Sequence, residues 1–547
     1  MQSSFNLLDR PWIEVVGLDG RVRLASINEV FAEAADLRCL GGDLPTQTFA
    51  ILRLLLAILH RSLNGPADRR AWQVLWQSTT LPVADIESYL DTHRDRFDLL
   101  HPVTPFYQVA ELRTGSGDVT GLDRIVADVP NGSLYLTNRL GPGLARISPA
   151  EAARWLVHCH AFDVSGIKTG AVGDPRAKNG KVYPLGVGTC GSYGGVFIEG
   201  RNLRETLLFN LIPYDNSVQL DNPNDSPGDL PAWERPPSSV TDDEPTRGRL
   251  AVLTWQSRRV RLIGDDDGIT HALVSYGDQL VTDDGFHVEP MTGWRRSPAR
   301  EKAQKRTVYA PRSHDPNKAL WRGLDALLPR RREGSGGEAP AAQPPPVTEW
   351  MAELASTDIV SRELPIWTHA VGVAYGTQNA VVDQVYDDRL ALPIEVFAVS
   401  DELRTTVVGA ATDAEAVARA VGKLGENIAR ASGGSGDVLR ASADRAEADA
   451  LSRLDLEFRD WLAGVGKLQR AEAREIWQRR ARRVAVELGG RLVDAAGPTA
   501  WIGRNIEKDV FLTTGLAEVW FRAALKKALP LAAPEPHEVA SQQEVMA

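Results

Sequence analysis

The side chains whose spacing points most clearly to chemistry are cationic. Residues 293–312 carry Arg295, Arg296, Arg300, Lys302, Lys305, Arg306 and Arg312 against Glu301 alone. Residues 467–483 carry Lys467, Arg470, Arg474, Arg479, Arg480, Arg482 and Arg483 against Glu472 and Glu475. Cations at this density bind phosphodiester backbones weakly and without regard to sequence, and salt weakens them further because each neutralised phosphate releases a counterion. The competing account of either run alone is a solvated helix face. The whole chain has 62 Lys and Arg against 72 Asp and Glu, a net charge of −10. Two basic runs on an acidic protein therefore favour local nucleic-acid patches over a freely DNA-binding chain.

Other spacings carry less. Gly186-Val187-Gly188-Thr189-Cys190-Gly191 matches a dinucleotide fingerprint by letter, but Pro184 precedes it and the strand-like 194–198 follows it. The required strand, turn and helix N-terminus are not predicted there. His158 and His160 stand two apart on a predicted helix and point about 200° from each other, so one ion cannot easily take both. The expected arrangement is one buried and one exposed imidazole. Asp265-Asp266-Asp267-Gly268 lacks the terminal Glu of a calcium loop and reads as an acidic turn. His314-Asp315 is a lone dipeptide. The sequence has no GxxxxGK[ST], HExxH or GxSxG motif. No catalytic residue, metal or cofactor is expected.

The elements that must position the cations follow from periodicity. With 547 residues, 43% hydrophobic and 24% charged, the chain is expected to fold as two or three domains. The first 30 residues alternate like strands around Asp19-Gly20, and helical spacing runs from Asn28 to about Leu100. Ser148-Pro149-Ala150-Glu151 predicts a capping box opening a helix to about His160. Residues 165–195 are rich in glycine and read as loop. Strand character is expected at Leu250 to Leu262 and Phe286 to Val288. Two strands are expected within Ala370 to Tyr386, around a tip at Gly376-Thr377-Gln378-Asn379. Four helical segments follow, near 401–431, 437–463, 467–496 and 514–529, with a kink expected at Gly489-Gly490. Their apolar residues recur every three or four positions, as an antiparallel four-helix bundle requires. The expected class is α+β: a mixed N-terminal domain over 1–395, the bundle over 396–530, a disordered insertion at 329–346 and a flexible tail at 531–547. Cys39, Cys159 and Cys190 form no paired framework. The most apolar stretch, Phe49 to Leu59, is broken by Arg53 and falls short of the ~20 residues that span a bilayer. Without a signal-peptide pattern either, a cytoplasmic protein with no membrane partner is expected.

Several words of the sequence occur together in one family. Phe5-Asn6-Leu7-Leu8 with Pro11-Trp12-Ile13-Glu14-Val15 resembles the N-terminal signature of the CasA family, the large subunit of the type I-E CRISPR surveillance complex, Cascade. Arg96-Phe97-Asp98-Leu99, Pro105-Phe106-Tyr107-Gln108, Leu253 to Arg259 and Tyr375 to Ala380 match in family order across roughly residues 5–390.

The resemblance implies a non-enzymatic subunit that reads the protospacer-adjacent motif (PAM) of double-stranded target DNA and starts strand separation. Guide pairing then reads the rest of the target. It implies other Cascade subunits, the 5′ handle of the CRISPR guide RNA, the displaced strand and a trans-acting helicase-nuclease as partners. The family's glycine loop corresponds to Ser165-Gly166-Ile167-Lys168-Thr169-Gly170, here less glycine-dense than in some relatives. Its wedge corresponds to Gln378 with Asn379, where turn chemistry alone is the competing account. The handle-contacting loop corresponds to Val129 to Leu144, with Tyr135 stacking and Thr137 or Asn138 in polar contact; a buried aromatic in an internal hairpin fits Tyr135 equally. Arg479, Arg480, Arg482 and Arg483 would follow the DNA backbone, as would Arg295, Arg296, Arg300, Lys302, Lys305 and Arg306. A family lysine before Trp294 has no counterpart, since residues 265–294 contain neither Lys nor Arg. Gln279 or a basic residue from Arg295 onward is the candidate replacement. A purely structural scaffold subunit is the rival function.

Overall fold

A helix without a polar face lies at the centre of the N-terminal part. Pro45–Ser62 (α1) starts with proline at its first turn and buries residues on every side, the signature of an interior helix. Its one interior cation, Arg53, is neutralised by Glu289 through two 2.8 Å hydrogen bonds. The structure is a computed structural model that describes residues 4–129, 139, 141–241, 243–329, 339–357, 359–398, 402–507 and 510–532.

Against α1 packs Pro149–Phe162 (α2). Ser148 caps α2 by accepting the Glu151 N–H at 3.1 Å. The return half of the expected capping box is replaced, because the Glu151 carboxylate accepts from Trp155 Nε1 and Arg139 instead. Around these helices stand small antiparallel sheets. Ile13–Gly17 (β1) lies between Val22–Ala25 (β2) and Leu37–Leu40 (β3). Lys168–Thr169 (β4) pairs with Lys181–Val182 (β5). Gly195–Glu199 (β6) edges a sheet completed by the long hairpin Trp367–Tyr375 and Val382–Ala391. Arg258–Asp265 (β7) pairs with Gly268–Tyr276 (β8) across the acidic turn.

Three expectations change here. Leu250 to Leu262 is not one strand: Arg249–Leu253 is helical, with the Asp229 carboxylate accepting the Leu250 and Ala251 N–H groups. Phe286 to Val288 forms part of a single 3₁₀ turn, Gly285–His287, rather than a strand. Short apolar runs have no period long enough to choose between helix and strand, and tertiary caps decide. The second half of 329–346 is ordered, against the expected disorder. There Trp294–Arg296 (β9) lies between Tyr309–Pro311 (β10) and Ala342–Gln343 (β11), and Tyr309 Oη donates to the Pro340 carbonyl at 2.8 Å. The strand-like residues 194–198 follow a one-turn helix, Thr189–Tyr193, and residues 183–188 directly before that helix are not in a strand.

The chain divides into two compact units: residues 1–318 with 326–389, and residues 319–325 with 390–547. In the second, the helices Glu402–Ala431 (α3), Asp437–Gly464 (α4), Arg470–Asp494 (α5) and Thr514–Ala528 (α6) pack together, α3 touching the other three. Trp321, Phe458, Trp461 and Trp477 form its aromatic centre. Asp413 on α3 is tied to α5 through Arg474 and Gln478, the latter at 2.8 Å. α5 runs through Gly489-Gly490 without a break, so the expected kink is absent. Gly489 serves close packing instead: a Cβ there would overlap the Phe521 ring of α6. The Ser148 cap and α1 therefore shape one unit, and an aromatic centre the other.

Candidate nucleic-acid interface

Two segments more than 200 residues apart in sequence meet at one place. The chain leaves α2 after Phe162 and enters the loop Ser165–Gly170, whose Ser165 N–H donates to the Asn379 carbonyl at 2.8 Å. Asn379 sits at the tip of the long hairpin. The candidate loop and the candidate wedge are thus joined through backbone, whatever their side chains do.

Glycine is required at both ends of the loop. Gly166 has φ +123°, outside the range that L residues occupy comfortably. Its carbonyl accepts from Tyr276 Oη, 2.7 Å away at the end of β8. Gly170 donates to the Gly180 carbonyl at 2.9 Å, and a Cβ there would lie 2.8 Å from the Gly180 carbonyl carbon. Between them Ile167 is exposed, and β4 is held by β5. Behind the loop lies a cavity of about 110 Å³ whose apolar wall includes Phe162, Ile167, Val274, Val373, Val382 and Val385. Loop and hairpin share that wall.

Lys168 does not reach outward as a loop cation would. Its ammonium lies 2.6 Å from Asp163, which also accepts from the buried Arg258 guanidinium. Burial alone would raise the Asp163 pKa, but Lys168 and Arg258 outweigh it and hold the carboxyl below the usual carboxylate range. Arg258 further donates to the Val164 and Gly186 carbonyls. Arg258 and Arg259, expected only as part of a family word, are buried struts. Arg259 pairs with Asp278 at 2.5 Å. Tyr276, Asp163 and Arg258 are the supports that sequence reasoning missed. The charged word Ser257-Arg258-Arg259 next to a strand was the available signal.

At the hairpin tip, Gly376 N–H donates to the Val381 carbonyl at 3.0 Å, closing a turn around Gln378 and Asn379. Both residues have φ +56°, and both are exposed. Asn tolerates this left-handed region through its short amide; Gln has no such compensation. Two successive non-glycine residues of this kind store a few kcal/mol of strain, a pattern concentrated at binding tips. Tyr375 Oη anchors the hairpin by donating to the Phe162 carbonyl at 2.8 Å.

The basic runs are less free than their sequence suggests. Arg296 is paired with Glu301 at 2.8 Å, Arg300 with Asp283 and Arg306 with Asp284. Arg295, Lys302 and Lys305 are exposed and form no ion pair among the described residues. On α5, Arg480 bonds Asp460 at 2.5 Å and Arg483 bonds Glu457 at 3.0 Å, both on α4, while Arg479 lies 3.5 Å from Glu475. Arg482, like these, has an internal interaction. Such exposed pairs are worth only about 0–1 kcal/mol each, so phosphates can displace them.

His158 and His160 are both buried, contrary to the expected split. They hydrogen-bond Thr46 Oγ1 at 3.0 Å and the Tyr107 carbonyl at 2.9 Å. Among the described residues no group of three His, Cys, Asp or Glu could hold a metal ion, and no helix is long and apolar enough to cross a membrane. Tyr135, Thr137 and Asn138 lie outside the described residues.

Comparison with known proteins gives these features a family. The family model for CRISPR-associated protein Cse1 matches residues 6–488. CRISPR-associated protein CasA/Cse1 of Thermus thermophilus is 32% identical over 336 residues, 60% of this chain, and the match spans 61% of that protein's length. The crystal structure of Thermobifida fusca Cse1 superimposes with a TM-score of 0.89 at 46% identity, covering 97% of this chain and 99% of that one. A chain of a CRISPR RNA-guided surveillance complex has the same fold, with a TM-score of 0.69 at 18% identity over 96% of this chain and 99% of that one. The chain belongs to the CRISPR-associated Cse1 (CasA) family.

Proposed function

We propose that this chain is a non-enzymatic, cytoplasmic subunit of a Cascade surveillance complex, reading the PAM of double-stranded DNA with Ser165–Gly170 and opening the duplex with Gln378 and Asn379. The observation that carries this reading is the Ser165 N–H to Asn379 carbonyl bond. It places a backbone able to enter a groove beside a polar, strained tip able to abut a base pair. Glycine backbone can approach base edges closely. In the minor groove those edges carry a degenerate pattern, so several related PAMs would be tolerated. Unstacking one step costs on the order of a few kcal/mol, which the groove contacts must offset.

The remaining roles follow the same reading. Residues 1–395 serve the guide handle and the PAM. Residues 396–530 form an antiparallel four-helix bundle whose Arg479, Arg480, Arg482 and Arg483 exchange their internal partners for the displaced strand. Neighbouring Cascade subunits and the helicase-nuclease complete the assembly. The exposed Arg295, Lys302 and Lys305 meet the duplex backbone.

The test is duplex binding by the reconstituted complex on targets that differ only in the flanking base pairs. Wild type, a complex lacking this chain and the Gln378→Ala/Asn379→Ala variant would be compared. Flank dependence present only with the chain, and strand opening lost in the variant, is the expected result. Indifference to both changes would leave a structural scaffold.

A further inference from the structure

The glycine loop is built as one piece with a second hairpin whose charge arrangement has no structural use. Lys178 and Lys181 face each other across a two-residue turn, exchanging backbone bonds of 2.8 and 3.1 Å. The turn residues Asn179 and Gly180 have φ +51° and +73°, the type I′ geometry that Asn-Gly favours. Directly opposed residues of an antiparallel pair project from the same face, with Cβ atoms about 5 Å apart. Like charges placed there repel and destabilise the hairpin. Both lysines are exposed, and neither forms an ion pair among the described residues.

This hairpin does not swing freely. Its Gly180 carbonyl accepts from Gly170, and β4 pairs with β5. Its base is clamped by Arg176, which bonds Asp174 at 2.9 Å and the Tyr276 carbonyl at 2.8 Å. Tyr276 is the residue whose hydroxyl holds Gly166. The ammonium pair is therefore fixed relative to the glycine loop, and through Ser165 to the Asn379 tip. The loop's own cation, Lys168, is spent on Asp163.

We propose that Lys178 and Lys181 form a phosphate clamp that grips the duplex backbone beside the base pairs read by the glycine loop. The proposal rests on the PAM-reading function above and adds the residues that supply its sequence-independent affinity. A polyanion removes the repulsion between the two ammonium groups, so the pair is more stable bound than free. Phosphodiesters of double-stranded DNA fit best, because this hairpin is bonded directly to the loop assigned to the duplex and, through that loop, to the tip.

The experiment compares reconstituted complexes carrying wild type, Lys178→Ala/Lys181→Ala and Lys178→Arg/Lys181→Arg, on two targets with different flanking pairs, at about 50 and 200 mM salt. The alanine variant should bind both targets more weakly by the same factor. Its deficit should shrink roughly tenfold between the two salts, as expected for two lost phosphate contacts. The arginine variant should restore binding. Melting of the alanine subunit should be no lower than wild type, since repulsion has been removed. A salt-independent deficit, a deficit confined to one flank, or a lowered melting temperature would each overturn the clamp. So would failure of the complex to retain the variant subunit, which would put the pair against guide RNA or a neighbouring protein. If wild type itself ignores the flanks, PAM reading fails, while the salt comparison still decides the clamp.

Discussion

Asp163 holds the loop through charge. It is the shared partner of Lys168 and the buried Arg258, and removing one member of such a group leaves the other charges uncompensated. Asp163→Ala should therefore destabilise the N-terminal unit by about 3–5 kcal/mol, measured by denaturant unfolding of the isolated subunit. Lys168→Met should cost less, because Arg258 keeps its carboxylate and its carbonyl acceptors. Equal losses in the two variants would show that Lys168, not Arg258, is what Asp163 serves. Lys168 also shows where reading residues one at a time stops. Its place in a glycine-rich loop says only that it is loop, and nothing in the spacing says that a carboxylate five residues earlier folds back onto it.

Elements acquire function here through ties between them. Tyr276 ends β8 and donates to Gly166, so the loop's unusual backbone depends on a hydroxyl contributed more than 100 residues away. Tyr276→Phe keeps the packed ring and removes the donor, which should lower stability by about 1 kcal/mol. The larger effect should be on flank discrimination, which should fall severalfold in the reconstituted complex while assembly is unchanged. Unchanged discrimination would mean that Gly166 holds its conformation without the tie. Periodicity made the regular elements legible: helices near 401–431 and 437–463, and the hairpin around Gly376–Asn379, lie where apolar spacing and turn residues put them. The wedge and loop positions came from the family resemblance rather than from any period. What the sequence could not convey was closure between distant segments: the Ser165–Asn379 bond, the Gly180–Gly170 bond, and the helix that Asp229 imposes on Arg249–Leu253. A cap or tie contributed from another element leaves no local pattern.

The two units of the molecule differ in how they respond to acid. His60, His158, His160 and His314 are buried in the N-terminal unit, and desolvation pushes their pKa values down to about 3, 4, 3 and 4. Each is neutral in the fold but protonates in the unfolded chain below its ordinary value of 6.5. The unfolded state then binds more protons, so stability rises with pH across the window from about 4 to 6.5 and is lost as pH falls through it. Each histidine contributes a slope of about 1.4 kcal/mol per pH unit in the full window. His369 works the other way: although burial lowers its pKa, Asp387 and Glu199 raise it above the ordinary value, so its contribution is present in acid and fades as pH rises. Its window lies above 6.5, so it does not oppose the four buried imidazoles between about 4 and 6.5. The described part of the other unit contains no histidine. Acidification from pH 7 to 5 should therefore open the N-terminal unit first. Hydrogen exchange should show protection falling in α1 and α2 while α3 to α5 keep theirs. Simultaneous loss in both units would mean that they unfold as one body and that the histidines do not set the order.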